Sequence, residues 1–358
     1  MQELMLWYER YVSPVALVTG FLADNYILLK RVDLLQTNLL LIFYLVVAAL
    51  GIIVIHFVES GRMRDRRVVK ALPLVLIAMQ FAFGGLFSGY LSLYGRSAAL
   101  PLNWIFVFIL AALVLGNERF MRLYSRFLFQ IGLYFTVLFS FLIFFLPIVT
   151  HRIGPLMFML SGALSLFMIS LFLWILRRFV PEVVDTNLRR TTAIIVVIYS
   201  LFNILYFLNL IPPLPLALKD AGVYHGVVRT QAGQYELSGE PVRWYEPFLR
   251  YNTIYHAASG EGVYVFSSIF APAGLSTVIL HEWQKYDDIS QQWISAGTVR
   301  FPIVGGRDGG YRGYSFKSSL LPGKWRVNVI TEYGQLIGRI AFEIVPTTDP
   351  VSLVSVAK

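Results

Sequence analysis

The sequence predicts an α-helical membrane bundle of about seven transmembrane helices followed by an all-β antiparallel sandwich domain. Three observations carry that expectation. Composition breaks near Ile211. Seven apolar runs of near-spanning length precede the break, and short runs alternating apolar with polar residues follow it. With 57% hydrophobic and 14% charged residues over 358 positions, the chain lies outside the soluble globular range, so the first region reads as membrane-embedded.

The bundle is expected over 1–211, a proline-rich lead over 212–222, the β domain over 223–346 and a tail over 347–358. Residues 1–13 carry Glu3 and Glu9 and no basic run, which argues against a cleaved signal peptide. Leu4, Leu6, Trp7, Tyr8 and Tyr11 suit an interfacial helix instead. Spans are expected at 14–29, 39–57, 71–94, 100–115, 128–148, 155–175 and 192–211, with the first and fourth short for the ~20 residues a bilayer requires. Pro212, Pro213 and Pro215 stop the last helix. Strands are expected at 223–228, 252–257, 262–270, 276–283, 297–303, 311–318, 324–331 and 335–345. In 324–331, Trp325, Val327 and Val329 alternate with Arg326 and Asn328, the pattern of a half-buried strand.

Charge gives the topology. Up to Ile211 there are 17 Lys and Arg against 9 Asp and Glu, and beyond it 13 against 12, so the net +9 belongs to the membrane loops and leaves no basic face for nucleic acid. Thirteen of those 17 lie on one side: Arg10, Arg62, Arg64, Arg66, Arg67, Lys70, Arg119, Arg122, Arg126, Arg177, Arg178, Arg189 and Arg190. Only Lys30, Arg31, Arg96 and Arg152 lie on the other. The positive-inside rule then puts the N-terminus in the cytoplasm and the β domain outside a bacterial inner membrane, periplasmic or extracellular. A re-entrant first segment would move the N-terminus but not the β domain.

Candidate sites are few. Asp24 sits well inside a span, Arg31 is two turns further on the same face, and Asp33 lies just beyond. An ion relay is one reading of that cluster; an ion pair fixing the first helix is the plainer one. His56 is expected to snorkel from the inner end of its span, and Asn103, Asn203 and Asn209 to bond between helices. Gly85 and Gly89, and Ser161 and Ser165, have the small-residue spacing of close helix packing, within the bundle or in a homo-oligomer. Without cysteine, disulfides, thiolate metal sites and Cys nucleophiles are excluded. His281-Glu282 lacks the second histidine of a zinc protease. No catalytic residue, metal or cofactor is assigned.

In the β domain, Gly305, Gly306, Arg307, Asp308, Gly309, Gly310 and Tyr311 offer backbone N–H groups and a guanidinium to a ligand or partner, or else make a sharp hairpin. His225, His256 and His281 fall on separate strands without metal-ligand spacing. Trp244, Tyr245, Tyr251, Tyr255, Tyr264, Trp283, Trp293, Tyr311 and Tyr314 suit a core, a membrane-facing belt or, where exposed, glycan stacking.

The proline run from Ile211 to His225, His281-Glu282-Trp283, the stretch from Gly305 to Ser315, Gly323 to Val327 and Gly338 to Phe342 resemble an uncharacterised bacterial family of multi-span membrane proteins with a C-terminal domain of unknown function. Residues 14–33, with Gly20-Phe21, Asp24 and Arg31-Val32-Asp33, resemble the N-terminal part of such proteins. The resemblance implies the architecture and no activity. The expected function is a non-enzymatic envelope protein, in contact with membrane lipid, whose outer domain binds a protein or cell-wall glycan. The alternative is a small-solute or lipid transporter with its path near Asp24.

Overall fold

The computed structural model describes residues 32–358 except 63–64, 98, 118–122, 124–125, 232, 243–250, 259 and 319. The expected span at 14–29, with Asp24 and Arg31, and the aromatic pair Trp244 and Tyr245 lie outside the described residues. A helical unit extends to Pro215, and a β-rich unit begins at Leu216.

The helical unit contains α1 (Leu35–Glu59), α2 (Arg66–Ser97), α3 (Leu100–Gly116), α4 (Phe127–Thr150), α5 (Pro155–Phe179) and α6 (Pro181–Phe207). Five of these helices are long and apolar enough to cross a membrane, and α3 is shorter. Apolar all round, α4 is the helix that the others enclose: α1, α5 and α6 pack against it, as expected of a segment with no polar face to present. Aromatic rings fill the space around it. Phe139 lies 4.8 Å from Phe202, and Phe158 stacks on Tyr206 at 3.8 Å. From α2, Tyr90 and Tyr94 donate to the α4 carbonyls of Val137 and Ser140 at 2.8 and 2.9 Å, which satisfies two phenols where no water is at hand.

Small residues let these helices approach. A Cβ on Gly85 would lie 2.5 Å from the Tyr44 ring, and the Ser161 hydroxyl donates to Leu142 O at 2.9 Å. Those parts of both spacings therefore pack within the unit. Asn103 donates to Asn209 O, in the turn just beyond the end of α6, whereas Asn203 bonds back to Tyr199 O on its own helix. His56 does not snorkel: it is buried, with Nε2 2.8 Å from Gln130 Oε1 of α4 and Nδ1 3.1 Å from Glu59. Gln130 supplies the partner that makes burial affordable. The last helix begins at Pro181, well before the expected 192, because Pro181 at its start and Glu182 in its first turn favour a helix that hydropathy does not register. Arg62, after α1, donates to Phe179 O at 2.8 Å, so these two basic loops share one end of the unit.

The β-rich unit holds eleven strands among the described residues: β1 (Ala217–Tyr224), β2 (Gly226–Arg229), β3 (Tyr235–Gly239), β4 (Ile254–Ala257), β5 (Val263–Phe270), β6 (Ser276–Asp287), β7 (Gln292–Val304), β8 (Tyr311–Lys317), β9 (Gly323–Thr331), β10 (Leu336–Pro346) and β11 (Val354–Ala357). They form three sheets, ordered β1-β5-β8, β4-β10-β9-β6-β7 and β11-β3-β2. The expected purely antiparallel pattern has one exception, since β4 runs parallel to β10. On one side of the β1-β5-β8 sheet, Ser267 and Ser315 meet His281 of the five-stranded sheet. On the other side, buried Phe266 packs with Tyr224 and with Leu237 of β3. The β domain thus has a third sheet beyond the two that a plain sandwich needs.

Two boundaries move accordingly. The lead at 212–222 already contains most of β1, and the tail at 347–358 contains β11, which pairs with β3 and is followed by Lys358, its Nζ 2.6 Å from Asp220 Oδ2. Both β3 and β11 are so short that alternation barely registers, and every residue of β11 is exposed.

Candidate functional site

The glycine stretch from Gly305 to Gly310 connects β7 to β8. The N–H groups of Gly305 and Gly306 bond to the carbonyls of Leu275 and Ala271 at 2.9 and 3.0 Å, and Gly310 N–H bonds to Arg307 O. Glycine is required by close approach at Gly305, where a Cβ would lie 1.8 Å from Pro272 O. At Gly310 the backbone has φ +84°. Three donors that a ligand would need are engaged, two by the 271–275 connection and one within the loop, and the Arg307 guanidinium lies 5.5 Å over the Tyr311 ring. Asp33 stands in the turn ahead of α1, and its expected companions Asp24 and Arg31 lie outside the described residues.

A second cluster escapes the sequence reading. His225 follows β1, Glu240 follows β3, His256 and Tyr255 lie on β4, and Glu261 precedes β5. His225 Nδ1 is 2.6 Å from Glu261 Oε1, and its Nε2 is 3.2 Å from Glu240 Oε1. Glu240 also accepts from His256 N at 2.6 Å, from His256 Nδ1 at 2.8 Å and from Asn252 Nδ2 at 3.3 Å. Tyr255 lays its ring on His225 at 4.1 Å and donates to Gly262 O at 2.9 Å.

Both ring nitrogens of His225 face carboxylates, an arrangement that favours the doubly protonated imidazolium, in which both nitrogens donate. Burial disfavours that charge, but the bonds to Glu240 and Glu261 outweigh it and raise the His225 pKa above 6.5. Burial likewise works against ionised Glu240, yet the bonds from His225 and His256 win and lower its pKa below 4.5. The side chains of His225 and Glu240 are each 6% exposed. Among the described residues no group of three or more His, Cys, Asp or Glu is placed to hold a metal ion, because these groups face one another rather than a common point. The network joins the ends of four strands. The only available sequence signal was the pairing of His225 and His256 with acids at the strand ends, and those residues are 15 to 36 positions apart.

His281 is fully buried between sheets. Its Nε2 is 2.8 Å from Ser267 Oγ, its Nδ1 is 2.9 Å from Ser315 Oγ, and Trp283 Nε1 donates to Ser315 Oγ at 3.1 Å. Burial pushes its pKa down to about 3, so the ring is neutral. A Ser–His pair can act as nucleophile and base only where substrate reaches it, and Ser267, Ser315 and His281 are all sealed in the core.

The outward face of the five-stranded sheet is polar and half-buried, with Asn328 buried at its centre. Arg339 Nε of β10 donates to Asn328 Oδ1 of β9 at 2.7 Å, and Asn328 Nδ2 donates to Glu282 Oε2 and Gln284 Oε1 of β6 at 2.9 and 3.3 Å. Arg326 Nε donates to the same Gln284 oxygen at 2.6 Å, and its guanidinium lies 4.2 Å over the Trp293 ring of β7, which meets Tyr286 at 5.2 Å. The ladder follows from period-2 alternation: Trp325, Val327 and Val329 fill the core, which sends Arg326 and Asn328 outward.

Residues 276–344, from β6 almost to the end of β10, match a family described as "Protein of unknown function (DUF2914)". That match covers the five-stranded sheet apart from β4, together with β8, and it brings no assigned activity. A search of curated proteins gives no match. Among solved structures, an alkylpurine DNA glycosylase, AlkC, from Pseudomonas fluorescens, bound to DNA containing an abasic site analog, aligns at 12% identity over 85% of this chain and 98% of that one. Its TM-score of 0.22 is too low to carry any argument about fold or function.

Proposed function

We propose that this chain is a multi-span protein of the bacterial inner membrane, with its N-terminus cytoplasmic, and that its β-rich unit binds a protein or cell-wall glycan outside the membrane without catalysing a reaction. The observation that carries this reading is the contrast within the β unit. Its acid–base clusters, around His225 and His281, are internally satisfied, whereas on the outward face of the five-stranded sheet Arg326 and Arg339 are only half-buried and, among the described residues, their Nη groups make no hydrogen bond. Two facing sheets joined through His281 support a sandwich, with β11-β3-β2 added as an outer layer. The shared end of Arg62 and Phe179 fits an arrangement with the basic loops inside.

Photo-crosslinking of the full chain in cells tests the reading. A photoreactive residue in place of Tyr286 is expected to yield a discrete adduct that the same probe at Glu236, on the small sheet, does not. Absence of any adduct from Tyr286, Thr298 and Arg300 would overturn it.

The transport alternative has less support, because among the described residues the space around α4 is filled by Phe135, Phe139, Phe144 and their neighbours. Its test is flux in proteoliposomes: an Asp24→Asn variant with unchanged flux removes Asp24 from any path.

A further inference from the structure

We propose that Arg326 and Arg339 form an oxyanion-binding pair that takes the acidic group of an anionic glycan. The proposal rests on reading this face as the binding surface and names the chemistry it would recognise.

In the β9–β10 pairing, Arg339 stands opposite Asn328, and Arg326 stands opposite Ala341. The two arginines are thus diagonal neighbours on one face, with Cα atoms about 7–8 Å apart by sheet geometry. Each makes its hydrogen bonds through Nε alone, Arg326 to Gln284 and Arg339 to Asn328, and the Arg326 guanidinium also lies over the Trp293 ring. Among the described residues no hydrogen bond or ion pair engages the Nη groups of either one. Two guanidinium forks fixed at the base and open at the tip are suited to a carboxylate or phosphate oxygen pair.

The surrounding groups sharpen the choice. Glu282 is the nearest acid, and it is engaged by Asn328 rather than by either arginine. One carboxylate thus faces two cations, and Lys324 stands opposite Glu343 across the strands. Burial lowers the pKa of both arginines, and for Arg326 the adjacent Arg339 charge adds to the effect, while Glu282 opposes it. Two like charges are kept close and partly desolvated, a cost that an arriving anion relieves. A simple phosphate would need only the cations. Among the described residues no hydrogen bond engages Gln284 Nε2, which with Trp293 and Tyr286 beside it adds the hydroxyl-bonding and stacking groups suited to a sugar ring.

The test uses full-length protein in phosphatidylcholine nanodiscs and, as probe, an oligogalacturonate titrated by calorimetry. Binding is expected to weaken at least ~10-fold for the methyl-esterified oligomer, and similarly for Arg326→Gln and for Arg339→Gln. Arg326→Lys, which keeps the charge and loses the fork, should fall between. Near-ultraviolet circular dichroism from Trp283 and its neighbours checks that each variant is folded. Equal binding of acid and ester, or no binding of the acid by folded wild-type protein, would overturn the proposal. So would attachment only to phosphatidylglycerol nanodiscs, which would assign a lipid surface instead. If the Tyr286 crosslink survives in an Arg326→Gln/Arg339→Gln double variant, the face still binds and only the oxyanion assignment fails.

Discussion

Glu240→Gln is expected to destabilise the β-rich unit by about 3 kcal/mol, the scale of breaking a buried ion pair by removing one of its members. Glu240 accepts from His225, from the His256 ring and backbone, and from Asn252, so it ties the end of β3 to β4 and to the corner after β1. An amide has one acceptor oxygen where the carboxylate has two, and its NH2 would face a donor. Hydrogen exchange on the full chain in nanodiscs is the appropriate readout. Amides of β1, β3 and β4 should lose protection while those of α4 keep theirs. Unchanged protection across these strands would show that the network is incidental.

The same network makes the unit pH-dependent in a defined sense. His225 has its folded pKa raised above 6.5, so its contribution is complete below 6.5 and is lost as pH rises through the folded value. Glu240 has its folded pKa lowered below 4.5, so its contribution is complete above 4.5 and is lost as pH falls through the folded value. The pair therefore stabilises most between those two ordinary values. Protection of β1 and β3 should decline on going from pH 6.5 to alkaline conditions, and the decline should be shallower in Glu240→Gln, where His225 keeps only Glu261.

What the sequence made legible divides along locality. Hydropathy over 39–57, 71–94, 128–148 and 155–175 falls inside α1, α2, α4 and α5, because a long apolar run has few structures open to it in lipid. The start of α6 was hidden because its first turns are polar and owe their helicity to Pro181 and Glu182 rather than to apolarity. Strand β9 announced itself by the alternation of Trp325, Val327 and Val329, whereas most of the similarly long β1 lay in the expected proline-rich lead. The four and five residues of β11 and β3 gave too few alternations to read, although they close the small sheet. The candidate site was less legible than the fold. Arg307 and the glycines about it form a conspicuous motif, yet their donors turn inward to Leu275, Ala271 and Arg307 itself. Glu240 and Glu261 form no motif, and only strand order brings them to His225. Arg326 and Arg339 became a pair only once the β9–β10 register was fixed, since a shift of one residue would put them on opposite faces.

His281→Gln is expected to flatten the acid side of the stability profile. In the wild type the folded pKa of His281 is near 3 against an ordinary 6.5, so below pH 6.5 the unfolded chain takes up a proton that the folded core refuses. Stability then falls by more than ~1 kcal/mol per pH unit down to about pH 3. Over the same interval His225 is protonated in both states and adds no slope, and above 6.5 the roles exchange, with His281 neutral in both states and His225 losing its proton in the folded state. The two histidines together therefore place maximum stability near pH 6.5. Glutamine offers Ser267 and Ser315 a neutral donor and acceptor but has no proton to gain. At pH 7 the variant should be weaker by about 2 kcal/mol through imperfect filling of the His281 space. Between pH 6.5 and 4.5 it should lose less stability than the wild type. Thermal unfolding followed by circular dichroism at several pH values reads both numbers. An acid slope identical in the two proteins would mean that carboxylates such as Glu240, and not His281, set the acid limit of the β-rich unit.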